Sequence, residues 1–492
     1  GADGRRRAVH ALRRAALLVA VALVALPSAC KGASTRHGFS ASTSTSPSTT
    51  TSASTTTTST STTAATAPAP NGCDAAALSR VGPRPDRTKY TVDATLDLAA
   101  NQVTGTLKAV FTPDKDTDHL VLRLWPNGPT PANKGAHEDI ADVTIDGHTV
   151  PFHMDNPTTA YVDTVGKQSL MPGTAITLAL RFMLRLPGVS DDRLSRQGNT
   201  VRLGSWLPLL AWEPGVGWDV DPPTTSNAEA SVTVASDFDV HFVAPAGLMV
   251  LATGVSDGPW HWTATAMGDW AASVGSFNLV EGTAAGAKVT VGVERSMSES
   301  PSAYLARVIA ALTDLSHRYG NYAYPTFTLA LTPNLTGGIE YPGHVMQGPN
   351  TNARTTPHEV SHQWFYSLVG NDQGRDPWLD EGLASWAEAQ TNHTYASFLA
   401  KPIPADGRDH IGEPMTFWDP IHNDYYRSVY VQSVQALGAL GVSTAAVDCA
   451  LARYVAANAY RVATPQAVAD ALKTVAPNAV SVLARYGVSR IS

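Results

Sequence analysis

The chain has 492 residues, 43% hydrophobic and 16% charged, with 38 Gly, 33 Pro and three Cys. That composition excludes a coiled coil, a collagen repeat and a wholly disordered chain, and three cysteines are too few for a disulfide-built miniprotein. The formal charge is −7; five arginines against Asp3 put +4 in the first 30 residues and leave −11 for the remainder, which excludes a basic nucleic-acid-binding face.

The first elements concern address. Arg5, Arg6, Arg7, Arg13 and Arg14 precede an apolar run from Ala15 to Leu26. Twelve residues are too few to span a bilayer, which needs about 20, and suit the core of a signal peptide. Leu26-Pro-Ser-Ala-Cys30 resembles the lipobox after which bacterial lipoproteins are cut and lipidated, although Pro27 stands where a branched aliphatic residue is usual. Residues 1–30 therefore predict export and a lipid on Cys30, with the body held outside the cell membrane, or secreted if Cys30 carries no lipid. Residues 31–74 form a linker: 22 of the 27 positions from 40 to 66 are Ser or Thr, which cannot build a core. Cys73 and Cys449 remain either as a disulfide or as two separate thiols.

From 75 to 288 the chain reads as short strands. Tyr90-Thr-Val-Asp-Ala-Thr-Leu-Asp-Leu alternates with period two, and the runs from Gly105, His119 and Ala230 do much the same, between clusters of Gly, Pro, Asn and Asp. An antiparallel β domain follows from that pattern. From 289 to 492 the grammar is mainly helical, beginning with an amphipathic helix over 302–317 and a strand from Thr326. The fold class is α+β, multidomain.

The chemistry is concentrated in Pro357-His358-Glu359-Val-Ser-His362. Helix residues four apart share a face, so both imidazoles can meet one metal, while Glu359 can reach a water beside it. A capping box, with Thr356 as cap and Glu359 as its partner, is the alternative for the glutamate. Zinc in a catalytic site takes three protein ligands, and Glu381 supplies a carboxylate with 18 residues between it and His362. Asp376-Pro377 predicts the start of its helix, and Glu388, seven residues on, shares the face of Glu381 as an acceptor for a ligating imidazole or as a solvated carboxylate.

With these residues in view, the chain resembles the gluzincin zinc aminopeptidases of the aminopeptidase N and leukotriene hydrolase family, in a short, bacterial lipoprotein-like form. The similarity runs from about residue 86 to about 440 and is tightest from Gly337 to Glu388. It implies a saddle-like β domain followed by a thermolysin-like catalytic domain with a small edge sheet, and one zinc per chain on His358, His362 and Glu381 with Glu359 as general base. Gly337-Gly338-Ile339-Glu340 corresponds to the segment that binds the substrate's free amine, with Ile339 and Tyr341 in place of Met and Asn. Tyr430 is the best match to the catalytic tyrosine, with Gln432 and Ser433 replacing Lys and Gly; Tyr425 and Tyr426 compete for the role. The 50 or so residues after Leu440 are too few for the large helical domain of longer members. The expected function is zinc-dependent removal of N-terminal residues from peptides, against two alternatives: an open-cleft endopeptidase, or a non-catalytic extracytoplasmic binding lipoprotein.

Overall fold

The computed structural model describes residue 73 and residues 78–188, 192–225, 234–351 and 353–492. The leader, Cys30, the Ser/Thr-rich stretch and most of the strand expected from Ala230 lie outside the described residues.

Lys89–Asp97 shows why the first region is β: its residues alternate strictly, with Tyr90, Val92, Ala94 and Leu96 buried and the polar positions between them exposed. It lies inside an eight-stranded sheet, between Ser236–Val243 and Gln102–Phe111. The latter pairs in turn with Ile176–Arg185, and that strand with His137–Ile145. The sheet is not wholly antiparallel. Lys89–Asp97 runs parallel to Ser236–Val243, a pairing that joins the two ends of the region and so needs no hairpin between them. Two four-stranded sheets and a two-stranded one, Trp212–Glu213 with Gly217–Trp218, complete this part; one of the four-stranded sheets ends on the edge strand Phe152–Asn156.

A five-stranded sheet follows, in the order Phe277–Ala284, Ala287–Glu294, Thr326–Leu331, His344–Gln347 and Gly338–Tyr341. The boundary expected between 288 and 289 falls inside its second strand, and five strands make it more than a small edge sheet. Helix Pro301–Tyr319 begins at Ser300, whose hydroxyl accepts from the Ala303 amide, and has Pro301 in its first turn. It ends at Gly320, where φ is +90°. Its buried face, including Val308, Leu312 and Leu315, packs on this sheet and on the helices behind.

The helices of this region include Thr355–Ser361, Glu381–Thr391, Gln432–Gly438 and Thr444–Asn458. Cys449, on the last of these, is disulfide-bonded to Cys73, 376 residues away in sequence. The Val81 amide donates to Ala456, on the same helix. Among the described residues no helix is long and apolar enough to cross a membrane.

Candidate active site

The site lies where the edge strand Gly338–Tyr341 faces helices Thr355–Ser361 and Glu381–Thr391. That strand pairs antiparallel with His344–Gln347 and has no strand on its other side among the described residues. Gln363 ties it to the histidine helix: its amide nitrogen donates to the Tyr341 carbonyl at 3.0 Å and its oxygen accepts from the Gly343 amide at 2.8 Å.

His358 and His362, one turn apart, turn their Nε2 atoms toward each other at 3.2 Å. Glu381 Oε2 stands 3.1 Å from the first and 3.5 Å from the second. Tetrahedral zinc with bonds of about 2.0–2.1 Å separates its ligands by about 3.3 Å, so the three atoms already form one face of such a tetrahedron. Two imidazoles and a carboxylate are also a donor set that zinc prefers. The residues fit the metal.

Each imidazole has a carboxylate behind it. His362 Nδ1 is 2.6 Å from Asp380 Oδ1, and the other oxygen of Asp380 accepts from Gln373 at 2.6 Å. His358 Nδ1 is 3.3 Å from Glu388 Oε2, while Arg354 Nε donates to the second oxygen of Glu388 at 2.6 Å. Such partners fix which ring nitrogen is free and aim it. Asp380 was not singled out from the sequence. The helix expected from Asp376-Pro377 instead begins at Glu381, after a 3-10 turn over Pro377–Leu379, and Asp380 caps nothing because its side chain is taken by His362.

Glu359 is buried on the same face as His362 and Glu340, with ligand atoms of the three within 4.8 Å of one another. It does not serve a capping box, since the helix is preceded by Arg354 and the Thr356 hydroxyl donates to Gln347. Glycine at 338 makes room for it: a Cβ there would fall 2.5 Å from the Glu359 carboxyl carbon.

The charges are strongly coupled. Burial pushes Glu359 up to about 7, against His358 and His362 and with the help of Glu381 and Asp380. Burial likewise raises Glu340 to about 8, with His362 opposing and Asp380, Glu381 and Glu359 adding. Burial works against charge on His358, yet the Glu381 and Glu388 carboxylates hold it at about 10. Glu381 itself, despite burial, is held below the usual carboxylate range by hydrogen bonds from both imidazoles.

Tyr430 stacks on His358 with ring centroids 5.5 Å apart and planes 14° from parallel. It sits in a π-helical turn, Tyr426–Val431, that leads into Gln432–Gly438. Burial and the Glu381 carboxylate, to which its hydroxyl is bonded, keep the phenol well above its ordinary range. The turn reaches the metal face because helix Glu381–Thr391 packs closely here: a Cβ on Gly382 would meet Ser433 Oγ at 2.5 Å. Tyr426 and Tyr430 line the 380 Å³ cleft together with Gly337, Gly338, Glu340, Glu359 and Glu381. Tyr425 does not line it.

Residues 343–406 match the model of the peptidase family M1 domain, a stretch that contains both histidines, Glu359, Glu381 and Glu388. This chain is a zinc metallopeptidase. The fold has solved counterparts. A mutant M1 zinc metallopeptidase from Deinococcus radiodurans, bound to a Tyr-Ser-Ala substrate, is 19% identical with a TM-score of 0.62, covering 82% of this chain and 94% of that one. The same enzyme without the mutation gives 0.60, and a two-domain M1 zinc metallopeptidase mutant bound to L-tryptophan gives 0.61, both at 19% identity and the same coverage. The family match of this metallopeptidase stops short of Glu340 on one side and Tyr430 on the other, so those two rest on geometry.

Proposed function

We propose that this zinc metallopeptidase removes residues from the free N-terminus of peptides, with His358, His362 and Glu381 holding the metal. When bound, zinc would supply a Lewis acid for the scissile carbonyl and lower the pKa of a water molecule. Glu359 takes the proton of the attacking water and delivers it to the leaving amine; burial suits it to both steps, because a base near neutral pKa can accept and return a proton. Tyr430 donates to the oxygen on which negative charge develops, a contact worth a few kcal/mol when well aimed. Asp380 and Glu388 hold the imidazoles in the ligating tautomer.

The observation that carries the exopeptidase reading is the position of Glu340. Its neighbours in the strand pairing place it on the open edge strand, on the same face as Gly338, lining the cleft with Glu359 and Glu381. An extended peptide added to that edge would bring its first residue's ammonium to a buried carboxylate, a charge-assisted contact. Gly337, at φ +83°, and Gly338 keep the approach free of side chains.

Export and tethering by a lipid on Cys30 belong to the same reading, with 31–74 as the spacer ahead of the folded body. The apolar leader and the Cys73–Cys449 disulfide support an oxidising, extracytoplasmic setting. The deciding assay compares free-amine and N-acetylated peptides of one sequence, with and without chelator. Chelator-sensitive release of the first residue from the free-amine peptide alone is expected. Equal cleavage of the blocked peptide would make the enzyme an open-cleft endopeptidase.

A further inference from the structure

The zinc cleft has two ends. Glu340 lies at one, where it forms a group with Glu359 and His362 whose ligand atoms are within 4.8 Å of one another. Arg354 lies at the other: it precedes helix Thr355–Ser361, one turn before His358 and two before His362, and lines the cleft with Thr336 and Tyr426. A peptide whose first residue sits at Glu340 therefore passes the metal face and carries its leaving part toward Arg354, a direction that rests on the exopeptidase reading.

Charge changes sign along this path. Of the four glutamates that line the cleft, Glu381 faces both imidazoles, and Glu359 and Glu340 lie toward His362. Glu388 is taken up between His358 Nδ1 at 3.3 Å and Arg354 Nε at 2.6 Å. The Arg354 side chain still keeps 31% of its surface open. Beside it stands a second cation. Lys401 Nζ is 4.6 Å from the ring centre of Phe398, on which the Arg354 guanidinium also stacks at 4.9 Å, and 5.7 Å from the ring centre of Tyr426. Arg354 Nη2 reaches the hydroxyl of that same tyrosine at 3.5 Å. The two cations flank one cleft-lining residue, and among the described residues Lys401 has no carboxylate partner.

We propose that Arg354 and Lys401 select peptides carrying a carboxylate on the leaving side of the cut bond, either the chain end of a short peptide or an acidic side chain. Glu388 balances one of the two positive charges, so an entering carboxylate meets a net positive end, opposite the acid that receives the ammonium. A lysine or arginine of the substrate would face like charge there, and a neutral residue would leave Lys401 without a counter-ion. A purely structural role, in which the two cations cover the Phe398 ring, would not distinguish a carboxylate from its amide.

The test is steady-state kinetics on peptides that share their first residue, with the products identified by mass spectrometry. Leu-Ala-Ala is compared with its C-terminal amide, and Leu-Glu-Ala-amide with Leu-Gln-Ala-amide. In at least one pair the carboxylate peptide should lead by about threefold or more in kcat/KM, mainly through KM, the size expected of a contact with partly exposed cations. The pair that shows the lead tells the chain end from the side chain. About 1 M salt should shrink it by screening. Lys401→Met should remove most of it and Lys401→Glu should invert it, with zinc content unchanged. Equal rates within both pairs, a lead that survives Lys401→Glu, or one indifferent to salt would each overturn the assignment. N-acetylated copies keep the two readings apart: their cleavage would overturn the need for a free amine, while the carboxylate comparison concerns the other side of the cut bond and is read on the same products.

Discussion

Gly338 and Glu359 occupy one space: a Cβ on residue 338 would stand 2.5 Å from the carboxyl carbon of Glu359 and 2.6 Å from Oε1. The backbone at 338 is not left-handed, so glycine is needed there for room and not for conformation. Gly338→Ala should push Glu359 aside without touching a metal ligand. Zinc content, measured by elemental analysis, should stay at one per chain while kcat falls toward the 10²- to 10⁴-fold that a positioned base contributes. Normal turnover in this variant would take the base role from Glu359.

The same carboxylate sets a pH dependence. A general base works only when ionised, so kcat/KM should fall as pH drops through the pKa of Glu359. Burial raises that group from 4.5 to about 7, and the positive charge of zinc would draw it back, so the acid limb should lie between those values. Glu359→Gln should abolish most turnover with zinc retained, and whatever rate remains should lack this limb. An unchanged limb in that variant would assign it to another group.

Asp380 orients His362 from a distance of 2.6 Å in a fully buried position. Asp380→Ala should weaken zinc by about 10- to 100-fold in chelator competition, since an outer partner of a ligating histidine is typically worth that much. Unchanged zinc affinity would show that the imidazole is held by packing instead.

These contacts mark what the sequence could and could not reveal. His358, His362 and Glu381 were legible because helix periodicity and an 18-residue gap constrain them jointly. Asp380 was not, because an aspartate adjacent to a ligand has no spacing of its own and looked like part of a helix that in fact starts one residue later. The strand from Thr326 was legible but its partners were not; only its parallel pairing with Ala287–Glu294 draws the hairpin Phe277–Glu294 into the five-stranded sheet that bears the site. The π-helical turn at 426–431 leaves no compositional trace, so three tyrosines competed for one role until Tyr425 fell outside the cleft lining.

Tyr430 and Tyr426 both line that cleft, but only Tyr430 stacks on His358; Tyr426 is 44% exposed and lies 3.5 Å from Arg354. Tyr430→Phe should therefore lower kcat more than it raises KM, because a bond to the developing oxyanion strengthens in the transition state. Tyr426→Phe should change kcat little. The reverse ranking in steady-state kinetics would move the donor to Tyr426.

Glu340 decides the substrate's end. Its carboxylate is buried on the edge strand, and removing it as Glu340→Ala deletes one charge-assisted contact without touching His358, His362 or Glu381. The loss should be about 1.5 to 3 kcal/mol of transition-state binding on free-amine peptides, or roughly ten- to a hundredfold in kcat/KM. Zinc content should not change. The wild type should be nearly inactive on the N-acetylated peptide, where the positive charge is gone and an acyl group fills the space beside Glu340. The pH response carries a sign as well: burial and the neighbouring acids raise Glu340 to about 8, and an entering ammonium favours its ionised form. Free-amine affinity should rise with pH as Glu340 loses its proton, until the substrate's own ammonium deprotonates near pH 8. Glu340→Ala should keep the second effect and lose the first. If blocked peptides are cleaved as fast as free ones and Glu340→Ala changes neither rate, the edge strand holds the middle of a chain and not its beginning.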